Sequence, residues 1–136
     1  GPAAFDRAVG PALGKGLRRS VRRARRGYRA ARAAPGKRRF HALRKRSKAL
    51  LLELEALGPR AGGAESIAEL RRLSKVLGRE HDLSVLRERL GREAGGAPAA
   101  VLRLARRRQR KLRRRGLVLA KGLFSGRGRN VAIIAA

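Results

Sequence analysis

The sequence predicts an all-α protein, an antiparallel four-helix bundle with long helices. Three observations lead there. Ala, Leu, Arg and Lys dominate while Val, Ile and aromatic residues are few, a mixture that favours helix over strand. Apolar residues recur at three- and four-residue steps instead of alternating. Pro and Gly punctuate the chain at three places, leaving short connections, and short connections between long helices make antiparallel neighbours.

The first helix is predicted from about Phe5 to Ala33, with Pro11, Gly14 and Gly16 weakening its opening and Pro35-Gly36 ending it. Its apolar row is Leu13, Leu17, Val21, Ala24 and Tyr28. The second runs from about Lys37 to Leu57 and stops at Gly58-Pro59, with Phe40, Leu43, Ser47, Leu50, Leu54 and Leu57 on one face. The third opens after Gly62-Gly63, with Glu65 and Ser66 near its start, and reaches about Arg92. Ile67, Leu70, Ser74 and Leu77 form its row. Past Gly78 the register slips to Leu83, Leu86 and Leu90, which predicts a bend or a change of packing partner. Gly95-Gly96 precedes the fourth helix, with Pro98 suited to its first turn. That helix runs to about Phe124, where Ser125-Gly126 ends it. Val101, Ala105, Leu112 and Leu119 mark its apolar face less regularly. One domain over residues 1–126 is expected, with 127–136 as a tail. Val131-Ala132-Ile133-Ile134 in that tail fits a strand, a docked segment or a disordered end.

The outlying quantity is charge. Among 136 residues, 37 Lys and Arg face 9 Asp and Glu, a formal excess of +28. Such self-repulsion opposes compaction unless an anion offsets it. A genome biased toward Arg codons explains Arg in place of Lys, but not the shortage of acids. A polyanionic partner is therefore expected. The absence of cysteine excludes disulfide and thiol chemistry. No run approaches the ~20 apolar residues of a membrane span, and a membrane partner is not expected. The opening lacks the basic leader and apolar stretch of a signal peptide, and Gly1-Pro2 reads as what a tag protease leaves behind.

The basic residues fall in rows. On the second helix Lys37, His41, Arg44 and Lys48 step by four, three and four, along one flank of the Phe40/Leu43/Leu50 stripe. Like charges so placed repel, and a bridging anion reverses that sign. The first helix offers Lys15, Arg19, Arg22, Arg26 and Arg29, with a second row of Arg18, Arg22, Arg25 and Arg29. The fourth offers Arg103, Arg107, Arg110, Arg114 and Lys121, and Arg106, Arg113 and Arg115 make it basic nearly all round. The third is more balanced, setting Arg71, Lys75 and Arg79 beside Glu69, Glu80 and Asp82. Parallel rows on adjacent helices predict a cationic trough. Any single Arg reads most simply as a solvated surface residue; rows on four helices do not. Arg also binds phosphate oxygens in pairs through its planar fork.

Catalytic inventories are missing. His81-Asp82 resembles the dyad of HD-type metal phosphohydrolases, but such sites need more His and Asp ligands, and the chain has two His and one other Asp, Asp6. Asp82 is better read as a cap at the helix bend or as an ion-pair partner. No Gly-rich loop ends in Gly-Lys-Ser/Thr, and no serine has a triad around it. No enzyme activity, metal or cofactor is expected. His41, among positive neighbours, should disfavour its charged form. It serves either as a neutral donor to an anion or as a structural tie between helices.

Two segments resemble CHAD domains. Phe40-His41-Ala42-Leu43-Arg44-Lys45-Arg46-Ser47-Lys48 is similar to that family's His-x-x-Arg helix, and Leu77-Gly78-Arg79-Glu80-His81-Asp82-Leu83-Ser84-Val85-Leu86 to its Leu-Gly-x-x-x-Asp-Leu-x-Val-Leu segment. Gly16 to Arg23 and Gly122-Leu123-Phe124 match more weakly, in the expected order. The resemblance implies a helical bundle that binds inorganic polyphosphate through basic side chains, in the cytoplasm or at polyphosphate granules. Carried over by position, His41, Arg44 and Lys48 face the polyanion, and Arg19 and Arg22, Arg71 and Lys75, and Arg107, Arg110 and Arg114 complete the walls. Lys37, Lys45, Arg26 and Lys121 join these as candidate polyphosphate-binding residues. The family usually pairs two four-helix repeats around a basic groove, whereas this sequence spans one and most resembles the second. It is thus a fragment, a half-domain with an open surface, or a homodimer that rebuilds the groove. The rival reading is a protein that binds nucleic acid nonspecifically. Phe5, Tyr28, Phe40 and Phe124 are too scattered to stack bases, and no base-reading set of Asn and Gln appears.

Overall fold

A computed structural model describes residues 2–57, 64–93 and 95–125, with side chains from residue 14 onward. Four helices account for nearly all of them: α1 (Pro2–Ala33), α2 (Lys37–Leu57), α3 (Ala64–Arg92) and α4 (Ala99–Phe124). Each helix packs on its neighbours in sequence, and α1 closes the ring against α4. Contacts across the seams run in opposite directions: Ser20 meets Glu53, Lys37 meets Glu88 and Arg71 meets Glu55. This is the predicted antiparallel bundle.

The connections carry the local chemistry that the punctuation promises. At the α1–α2 turn, Ala34 N–H donates to the Ala30 carbonyl at 3.1 Å and Phe40 N–H to the Gly36 carbonyl at 3.0 Å. Arg39 reaches back to donate to the Ala34 carbonyl at 3.1 Å, satisfying an acceptor just past the α1 C-terminus. Before α4 the chain turns through Gly95 at φ +88° and Gly96 at φ +67°, left-handed conformations that a Cβ would strain. Pro98 lies one residue outside α4, and its carbonyl accepts from Val101 and Leu102 N–H. The Gly58-Pro59 and Gly62-Gly63 signals and the tail at 127–136 lie outside the described residues, as does the Leu13 side chain.

The core holds Leu17, Val21, Ala24 and Tyr28 from α1, Phe40, Leu43, Leu50 and Leu54 from α2, Leu70, Leu73 and Leu77 from α3, and Ala120, Leu123 and Phe124 from α4. Burying each large apolar side chain contributes about 1.5–3 kcal/mol before conformational entropy is subtracted. Two expectations are corrected. Past Gly78 the inward face of α3 does not pass to Leu83, Leu86 and Leu90. The helix continues unbroken and its buried positions are Glu80 and Ser84, while Leu86 is exposed. The four-three spacing of Leu73, Leu77, Glu80 and Ser84 keeps one face, so the register holds and the chemistry changes from apolar to polar. On α4 the buried row is Ala105, Gln109, Leu112, Gly116, Ala120 and Leu123, whereas Val101 is exposed and Leu119 only partly covered.

Small residues on α4 permit its close approach to α3. A Cβ built on Gly116 would lie 3.1 Å from Leu77 Cδ2, tighter than ordinary van der Waals contact. The bundle therefore has an apolar end around Leu54, Leu70 and Leu123 and a polar end around Glu80 and Gln109.

Candidate functional site

The α2/α3 seam brings one set of the predicted residues together. Lys37, Arg44 and Lys48 share a helix face, with His41 beside them. Lys37 pairs with Glu88 of α3, and the His41 ring stacks on His81 with centroids 5.1 Å apart and planes 28° from parallel. Lys45 stands one turn from His41 toward solvent. From α3, Arg71 borders the same seam, its Nε donating to Glu55 at 3.0 Å, whereas Lys75 lies on the side of α3 opposite the buried Leu73 and Leu77. Lys37, His41, Lys45, Lys48, Arg71 and Lys75 are exposed and Arg44 is half-buried.

The strip keeps a positive excess even with Glu88 and Glu55 paired to Lys37 and Arg71. Partial burial, and then the positive charges of His81, Lys45, Arg44 and Lys37, hold the His41 imidazole below its ordinary value. Helix α2 also opens on Lys37, Arg38 and Arg39 at its positive dipole end, where anions are favoured and cations are not. Both features lower the cost of seating a negative charge here.

The other rows do not join this strip. Arg19 and Arg26 lie on the side of α1 opposite Leu17, Val21 and Tyr28, and Arg22 on an exposed flank. Arg107 and Arg114 lie opposite the buried row of α4, with Arg110 and Lys121 beside them, all exposed. The rows therefore do not build a single trough. Asp82 is exposed in the middle of an unbroken α3 and neither caps a bend nor makes an ion pair among the described residues.

A second polar cluster was not anticipated as such. Glu80 is 3% exposed, and its Oε1 accepts from Gln109 Nε2 and from Arg113 Nε, both at 2.9 Å. Gln109 Oε1 in turn accepts from Arg87 at 2.5 Å. The Arg113 guanidinium lies 5.2 Å from the centre of the Phe40 ring on α2, so the network ties three helices. One signal was readable: Gln109 is the chain's only glutamine and falls in register between Ala105 and Leu112.

A model of the CHAD domain matches residues 2–91, most of the chain. The chain belongs to the CHAD-domain family. The matched part of this CHAD domain comprises α1, α2 and all but the last residue of α3, while α4 follows it and is joined to it through Glu80. No curated protein and no solved structure matches the chain. Among the described residues no group of three or more His, Asp or Glu could hold a metal ion, and no helix is long and apolar enough to cross a membrane.

Proposed function

We propose that this CHAD domain binds inorganic polyphosphate without transforming it, laying the polymer along the α2/α3 seam. The observation that carries this is the shared face of Lys37, His41, Arg44 and Lys48, bordered by Lys45 and Arg71. Cations repeated along a helix suit a polymer with one charge per phosphate better than a compact ligand. The family's link to polyphosphate supports the same partner. The rows on α1 and α4 then act at long range, raising the local concentration of any polyanion without setting its register.

Each phosphate bound releases counterions, so affinity should fall steeply as salt rises. Long-chain polyphosphate and duplex DNA, at matched phosphate concentration and moderate salt, should compete unequally, with polyphosphate displacing DNA. Ready displacement of polyphosphate by DNA would instead establish a nonspecific basic protein. The triple variant H41A/R44A/K48A should lose at least tenfold in polyphosphate affinity while keeping its helical circular dichroism. Undiminished affinity in that folded variant sinks the site assignment.

A further inference from the structure

The polar end of the bundle holds a cavity of about 340 Å³ at the α3/α4 seam, lined chiefly by Lys37, Arg87, Glu88, Arg106, Gln109 and Arg113. That size falls near the lower end of small-ligand sites, roughly 300–1,000 Å³. Four of the lining side chains are cationic and one is a carboxylate. The nearby carboxylates are already committed, Glu88 to Lys37 and Glu80 to Arg113. Arg87 and Arg106 have no carboxylate partner among the described residues, so two positive charges at the cavity stand uncompensated.

We propose that this cavity is a second anion site, which takes a single phosphate dianion through Arg87, Arg106 and Arg113. The inference does not rest on the polyphosphate reading of the α2/α3 seam. Two uncompensated guanidinium groups match the two charges of a terminal or free phosphate, whereas a phosphate inside a polymer carries one. The donors are partly preorganised. Arg87 is held through Nη1 by Gln109, and Arg113 is held through Nε by Glu80, while the terminal nitrogens of Arg113 make no hydrogen bond among the described residues. Planar forks fixed in this way offer paired N–H groups to phosphate oxygens. Desolvation and then the like charges of Arg106 and Arg113 also push the Arg87 guanidinium below its ordinary value, a penalty that the attraction of a bound anion offsets.

Gln109 supplies the readout. It is the only glutamine, and Asn130 the only asparagine, so the side-chain amides give two readily assigned pairs of nitrogen–proton signals. Inorganic phosphate titrated into the full chain at pH 7.5, against chloride at matched ionic strength, should shift the Gln109 pair saturably. R106A, which removes an exposed group and leaves the Glu80 network intact, should weaken that binding at least fivefold. R115A, an equal loss of charge elsewhere on α4, should change it less than twofold. A shift that never saturates, or equal weakening by R106A and R115A, overturns the site. A short polyphosphate with free ends and one with both ends esterified separate the sources. A shift from the free-ended chain alone assigns the cavity to chain termini, and a shift from inorganic phosphate alone assigns it to the free ion. Equal shifts from both chains overturn the preference for a dianion.

Discussion

Replacing Glu80 with Ala should destabilise the domain by about 4 kcal/mol, the middle of the range for breaking a buried ion pair by removing one partner. Glu80 is almost wholly buried, and its Oε1 serves two donors, Gln109 Nε2 and Arg113 Nε, at 2.9 Å each. Without it, the buried Gln109 amide loses its acceptor and the mostly covered Arg113 loses its counter-charge. At this chain length a kcal/mol corresponds to roughly 3–4 °C, so the melting temperature should fall by about 12–16 °C. Thermal melts followed by far-UV circular dichroism give the shift. Urea titration gives the free energy, and it is preferred to guanidinium, whose ions screen the charges in question. An all-apolar replacement, E80L/Q109L/R113L, removes the Glu80 acceptor together with both of its donors and should recover most of the loss, because only the half-buried Arg87 then loses its partner. A cost below ~1 kcal/mol for E80A alone, or a triple variant worse than the single, would show that Glu80 is not the counter-charge on which this seam depends.

Other outcomes follow from single contacts. Gly116→Val should cost about 2 kcal/mol by overpacking against Leu77, and L77A in the same chain should cost less than the sum of the separate changes, measured by urea denaturation. Ser20→Ala should cost roughly 1 kcal/mol, because its hydroxyl donates to Glu53 across the α1/α2 seam at 2.7 Å. The His41 imidazole is lowered in the fold, so the unfolded chain binds the extra proton first. This group's contribution to stability is therefore present above the unfolded value near 6.5 and is lost as pH falls through the folded one. Melts at pH 7.5 and 5.5 should show that loss, and H41N should reduce it. Polyphosphate affinity should move the opposite way, rising over the same interval as His41 gains charge against the anion, and H41N should flatten that rise as well.

The helices and most of the core were legible because Pro and Gly mark the turns and because Leu, Ala and Phe at four-three spacing can bury only one face. The α2 boundaries and its stripe from Phe40 to Leu54 follow from that rule alone. The rule failed where burial was polar. Leu83, Leu86 and Leu90 point off register because leucine marks the interior only where burial is apolar, whereas Glu80 and Ser84 keep the phase of Leu73 and Leu77. On α4, Gly116 and Ala120 face inward because the α3 surface comes close, and interhelical distance is not written in a hydrophobic pattern. The strip on α2 was visible as spacing, yet its isolation from the α1 and α4 rows was not. That depends on how each helix is rotated about its own axis, which many interchangeable arginines leave unmarked.

The glycine at 116 and the carboxylate at 80 bear together on alignment. If α4 slid one turn along α3, Arg113 and Gln109 would leave Glu80, and a larger side chain would replace the hydrogen that lies against Leu77. Sliding is thus opposed twice, by electrostatics at one point and by sterics at another. The connection at 93–98 need not hold the two helices in step, so residues inserted there should leave their alignment unchanged.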